Sequence, residues 1–237
     1  MSTLSLPGRY EGPGPGWANG GIIAGTVAGL LDGASDRPVE VRLQRPVPLD
    51  TPLEAVHDDG SAALASRGEV LATARHVDEA PPEGPVVDRN AAARGRSAGP
   101  TVAPEDHMAP GCFICGPRHP GGLNLQPGWV DEEHTVAATL WEPPRELADE
   151  RGVLPREIVW GALDCPSWYA GTDRTAALLG TLRGRILSDV RPGEELIVTG
   201  WGESASGRKA FAGASLRRPD GELVASSAAI WIYPRRD

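Results

Sequence analysis

Apolar and polar positions along this chain follow two rhythms, and the pair of rhythms occurs twice. From Ile22 the pattern Ile22, Ile23, Thr26, Val27, Leu30 and Leu31 comes in pairs one turn apart, which predicts a buried helix. Asn19 stands at the N-cap position, Gly20 and Gly21 follow it, and the helix is expected to stop near Asp32-Gly33. Before it, residues 1–18 are rich in Gly and Pro and read as a short edge strand and a loop ending at Trp17. After it the period drops to two. Residues 39–43 and 53–57 alternate, a bend covers 46–52, and Asp58-Asp59-Gly60 is a turn. Residues 62–75 read as two short strands joined at Arg67-Gly68.

Periodicity disappears between about 79 and 110, where Pro, Gly, Ala, Asp and Arg dominate, so 81–110 reads as a surface or partly disordered linker. Beyond it the plan recurs. Residues 123–140 supply strand-like segments with a turn at Asp131-Glu132-Glu133. Ile158, Val159, Ala162 and Leu163 predict a helix over 157–168, and strands follow at 178–186, 195–203, 209–216 and 223–233. Arg191-Pro192-Gly193, Ser206-Gly207 and Pro219-Asp220-Gly221 punctuate them as turns. A helix followed by a meander, twice, predicts two copies of one unit, over 1–80 and 111–237.

Composition narrows the function more than the fold. With 23 basic and 32 acidic residues the net charge is −9, which argues against a nucleic-acid partner, because phosphate contacts need basic surface. The 3 cysteines are too few and odd in number for a disulfide scaffold, which favours a reducing compartment. The first residues lack a basic stretch and an apolar core of the secretory kind, and the apolar run over 20–31 is too short to span a bilayer. The expectation is a cytoplasmic protein with no membrane partner.

One residue stands out chemically. Asp164 lies on the second apolar helix with Trp160 one turn before it and Trp168 one turn after, so the three share a face. Burial there disfavours the charged form and raises the carboxyl pKa. Pro166 has no N–H to give the Ala162 carbonyl, so the helix is expected to bend or end just past Asp164. A surface or capping Asp on an amphipathic helix is the plain alternative. Cys112-x-x-Cys115 is half of a zinc site, which His107, His119 or Cys165 would have to complete. No second Cys-x-x-Cys or His pair stands at the usual spacing, so the expectation is packed cysteines and no metal.

Three motifs carry a resemblance. Cys112-Phe-Ile-Cys115-Gly116-Pro117-Arg-His-Pro120-Gly-Gly122-Leu123 is similar to the Cys-x-x-Cys-Gly…Asn-Pro-x-Gly-Leu opening of hotdog-fold thioesterases related to phenylacetyl-CoA thioesterase. Asn19-Gly20-Gly21 before its helix resembles that superfamily's His-Gly-Gly helix start. Residues 185–198 and Gly207-Arg208-Lys209 resemble its Arg-Pro strand and Gly-Arg-Lys hairpin.

The resemblance implies an α+β double hotdog, with two long helices (21–32 and 157–168) each wrapped by an antiparallel sheet, and chains paired as a homodimer. It also implies hydrolysis of an acyl-CoA or acyl-carrier-protein thioester, with no cofactor apart from coenzyme A in the substrate. The family keeps the Gly-Gly turn and an Asp nine residues later on one helix. Here the first half has Ala28 at the Asp position, and the second has Asp164 but Pro155-Arg156-Glu157 in place of the turn. One composite site per chain is therefore expected. Gly20 and Gly21 would form the oxyanion hole, Asn19 would take the place of the family's His, and Asp164 would act as base or nucleophile. Thr181 would orient water, Trp160 and Trp168 would flank the substrate, and Arg208 and Lys209 would meet the coenzyme A phosphates or else form a solvated hairpin tip. Two other readings stay open: a non-catalytic acyl-thioester binder, and a hotdog hydratase or dehydratase.

Overall fold

The computed structural model describes residues 2–31, 36–173 and 176–235. Its strands are β1 (Ser2–Leu4), β2 (Val39–Leu43), β3 (Leu53–Asp58), β4 (Ser61–Ser66), β5 (Glu69–His76), β6 (Gly128–Trp129), β7 (Val136–Trp141), β8 (Leu178–Ile186), β9 (Leu196–Ser206), β10 (Lys209–Arg217) and β11 (Leu223–Ile232). The helices are α1 (Gly20–Ala28), α2 (Arg89–Ala98) and α3 (Arg156–Gly171).

All eleven strands form one antiparallel sheet in the order β1-β3-β4-β5-β2-β8-β11-β10-β9-β7-β6. The two halves repeat one topology outward from its middle. In the first, α1 leads to β2, and β3, β4 and β5 return to set β5 beside β2. In the second, α3 leads to β8, and β9, β10 and β11 return to set β11 beside β8. The halves join where β2 pairs with β8, with Val41 opposite Leu182. The expected repeat is present, but the expected two sheets are one, because β2 and β8 complete each other's hydrogen bonds instead of leaving exposed edges.

α1 and α3 pack against each other and are unequal. α1 ends at Ala28 with Gly29 as its cap, and the expected stop at Asp32-Gly33 lies outside the described residues. α3 is longer and runs through Pro166 to Gly171, so it does not end just past Asp164. Residues 158–170 are all buried, so packing on every side holds the helix where one hydrogen bond is lost. Side chains also serve the carbonyls around the proline. Ser227 of β11 donates to the Leu163 carbonyl at 3.1 Å, and Ser167 donates to the Asp164 carbonyl at 2.7 Å.

Close approach depends on small residues. A Cβ on Gly200 of β9 would come within 2.0 Å of the Pro166 carbonyl oxygen, and one on Gly25 of α1 within 2.4 Å of the Glu157 Cα. α1 thus crosses α3 backbone to backbone, with Ile22, Ile158 and Leu163 fully buried around them. Each such side chain contributes about 1.5–3 kcal/mol.

The stretch expected as a linker contains α2. Asp88 caps α2 by accepting the Ala91 N–H at 2.8 Å, and the helix packs on β7 through a small cluster that includes Val87, Ala92 and Ile197. Among the described residues no helix is long and apolar enough to cross a membrane.

Candidate active site

Asn19 reaches its place because the loop before α1 is pinned on both sides. Its N–H donates to the Tyr10 carbonyl at 2.9 Å, and that of Ala18 donates to the Val47 carbonyl at 2.9 Å. The Asn19 side chain then does two things at once. Oδ1 accepts the Ile22 N–H at 3.0 Å, closing the cap, and Nδ2 donates to Asp164 Oδ2 at 3.1 Å. The Gly21 N–H donates to the same carboxylate oxygen at 2.8 Å.

The carboxylate of the second half's helix therefore sits on the N-terminus of the first half's helix, where free N–H groups and the helix dipole favour negative charge. Gly20, the first helical residue, keeps an N–H with no intrahelical acceptor. Asp164 Oδ1 is buried without a hydrogen-bond partner. Burial dominates the electrostatics: Asp164 is 2% exposed and its pKa is pushed up to about 7 by desolvation, against the pull of the Gly21 N–H.

The pseudo-equivalent place at the other end of the helix pair holds none of this. Ala28 has no carboxylate, Pro155 has no N–H, and Glu157 packs its backbone on Gly25. The described residues thus carry one such junction.

Asp164 and Asn19 line a predominantly apolar cavity of about 560 Å³, a size that suits a small organic ligand. Its rim includes Trp17 and Leu178, which are 46% and 52% exposed, and Arg45 and Arg208 also line it. Trp168 lines the cavity with its ring tilted against that of His107 at 5.4 Å. His107 is itself buried, and desolvation lowers its pKa.

Three expected site residues lie elsewhere. The Trp160 ring packs under β8, where a Cβ on Gly184 would stand 2.7 Å from it, so it belongs to the core. Thr181 does not line the cavity. A bulge at Gly180, where the β8–β11 register jumps from Thr181 to Leu179, puts Leu179 and Leu182 on the helix side and Thr181 on the other. Lys209 is exposed at the start of β10 and does not line the cavity, whereas Arg208 beside it does and donates to the Tyr233 carbonyl at 3.0 Å.

Sequence reasoning missed the cavity roles of Arg45 and Leu179. Of the three candidates to complete Cys112-x-x-Cys115, the fold brings Cys165 to it. Cys112, Cys115 and Cys165 all line the cavity beside Asp164. Hydrogen bonds from Cys115 and Cys165 pull the Cys112 thiol well below its usual pKa, while burial pushes the other two up.

No family model and no curated protein matches the sequence. Solved structures do match its fold. A tesB protein of Mycobacterium avium subsp. paratuberculosis is similar over 98% of this chain and 92% of its own, with 15% identity and a TM-score of 0.60. A protein described as having the hot dog fold, from Alicyclobacillus acidocaldarius, is similar over 99% and 93%, with 15% identity and a TM-score of 0.62. An acyl-CoA thioesterase II, TesB2, from Mycobacterium marinum is similar over 90% of each chain, with 14% identity and a TM-score of 0.55. Identities this low speak for the fold alone: the chain is a hotdog-fold protein in which two units share a single sheet.

Proposed function

We propose that this protein hydrolyses an acyl-CoA or related acyl thioester at one composite site, with Asp164 as the reacting carboxylate. The observation that carries the reading is the seat of that carboxylate. It is held by the Gly21 N–H and the Asn19 amide at a helix N-terminus, and it lines an apolar cavity with one oxygen unpartnered. Thioesterases named among the structurally similar proteins support the substrate class.

Hydrolysis breaks the carbonyl carbon–sulfur bond and forms a carbon–oxygen bond to water, giving a carboxylic acid and a free thiol. In one route Asp164 takes the proton of an attacking water, contributing about 10²–10⁴ in rate. In the other it attacks first, and water then opens a mixed anhydride. Either route puts negative charge on the carbonyl oxygen. Gly20 offers the N–H for it, since Gly21 already spends its own on Asp164. The apolar wall, with Trp168 and Leu179, receives the acyl group, and Arg208 at the rim meets the phosphates of coenzyme A.

The test is release of free thiol from a panel of acyl-CoA esters differing in acyl size. Turnover of at least one ester supports the reading. Saturable binding of these esters without thiol release would identify a binding protein instead.

A further inference from the structure

Three sulfurs meet at the inner wall of the cavity. Cys112 and Cys115 come from the loop before β6 and Cys165 from the middle of α3. All three are buried, and their Sγ atoms lie within 4.8 Å of one another. Cys112 and Cys165, 53 positions apart in sequence, have Sγ atoms separated by 3.9 Å. A disulfide bond would need about 2.05 Å. A tetrahedral ion with metal–sulfur bonds of about 2.3 Å spaces its sulfurs about 3.8 Å apart.

The loop is shaped to present sulfur. The Gly116 N–H donates to the Cys112 carbonyl at 2.8 Å, closing a turn around Cys-x-x-Cys-Gly, and a Cβ on Gly116 would fall 2.4 Å from the Cys112 nitrogen. The Asn19 amide donates to the Cys112 and Cys165 sulfurs at 3.5 and 3.7 Å. Cysteines packed as small hydrophobes need no such donors. Thiolates bound to a metal use them, because hydrogen bonds to sulfur orient and tune the ligand.

We propose that Cys112, Cys115 and Cys165 together bind one divalent ion of the zinc class, with the fourth tetrahedral position open to the cavity that all three residues line. Thiolate ligands select such soft ions over magnesium or calcium. The expectation of no metal rested on the lack of a second ligand pair in the sequence. The fold supplies one sulfur from a helix, that of Cys165, one of the three candidates to complete the pair. The inference does not rest on the hydrolytic reading, since ion binding is read without substrate.

The full chain, purified in a non-thiol reductant without chelator, is expected to carry one equivalent of zinc. After chelation, added Co²⁺ should give thiolate-to-cobalt charge-transfer bands and the strong visible bands of a tetrahedral site, and Zn²⁺ should abolish both. Cys165→Ser and Cys115→Ser, checked for folding by circular dichroism, should each weaken Zn²⁺ binding by tenfold or more. If one variant fails to fold, the other and the wild-type cobalt spectrum decide. Reduced, folded wild-type protein that lacks zinc and gives no thiolate–cobalt bands overturns the proposal. So do folded variants that bind Zn²⁺ as tightly as the wild type.

Discussion

The Gly21 N–H and the Asp164 carboxylate, 143 positions apart in sequence, lie 2.8 Å apart in the fold. One belongs to the start of α1 and the other to the middle of α3, so the contact exists only because the two units pack helix against helix. A Cβ on Gly21 would stand 2.6 Å from the Asp164 Cβ and 2.7 Å from the Gly161 Cα. Glycine is what lets the carboxylate reach the helix end.

Gly21→Ala is therefore expected to destabilise the protein by about 1–3 kcal/mol through overpacking, because the obstructing atoms include backbone that cannot turn aside. Gly20→Ala should cost less. Its new Cβ first meets Leu179 Cδ2, the end of a flexible side chain, at 2.9 Å. Thermal unfolding of the two variants side by side checks the order, and equal losses would contradict the packing account.

The raised Asp164 pKa has a thermodynamic consequence in the metal-free protein. The folded state holds the proton up to about pH 7, whereas the unfolded chain releases it near 3.8. Stability from the neutral form is thus fully present below the unfolded value and is lost as pH rises toward 7, by on the order of 4 kcal/mol. Asp164→Asn has no such proton to lose. The stability difference between wild type and Asp164→Asn, measured by denaturant unfolding after chelation, should shift against the wild type between about pH 4 and 7 and then level off. A constant difference across that range would show that the carboxyl is not desolvated.

Arg208 and Lys209 are neighbours with different prospects, since only Arg208 lines the cavity. Arg208→Ala should raise KM for an acyl-CoA ester about threefold to tenfold, with the effect shrinking in high salt, while Lys209→Ala changes it little. An acyl-pantetheine ester, which lacks the nucleotide phosphates, should not distinguish the Arg208 variant from the wild type.

Much of the fold was legible because it rests on local chemistry. The Asn19 cap, the alternation over β2 and the glycine turns each read correctly from a few residues, and their repetition gave the two-unit plan. What failed was decided by packing. α2 hid in an Ala- and Arg-rich run with no apolar stripe to mark it, although Asp88 ahead of Ala91, Ala92 and Ala93 was a usable cap signal. Pro166 did not stop α3, because burial on all sides outweighs one missing hydrogen bond. The expectation for Thr181 rests on the resemblance, but alternation from the buried Leu182 puts it on the face away from the helices, and the bulge at Gly180 then returns Leu179 to the cavity side.

Because Ala28 and Pro155 leave the second junction without chemistry, one ligand should bind per chain. Titrating a non-hydrolysable acyl-CoA analogue into the wild type should give a stoichiometry of about one. Two equivalent sites would mean that the halves act separately.

The most direct test of the composite hydrolytic site compares thiol release by the wild type and by Asp164→Asn on the same acyl-CoA ester. The account predicts a loss of about 10²–10⁴ in kcat with analogue binding retained, because the Asn side chain can still accept the Gly21 N–H while no longer taking a proton or attacking carbon. A folded Asp164→Asn variant that releases thiol as fast as the wild type would contradict it.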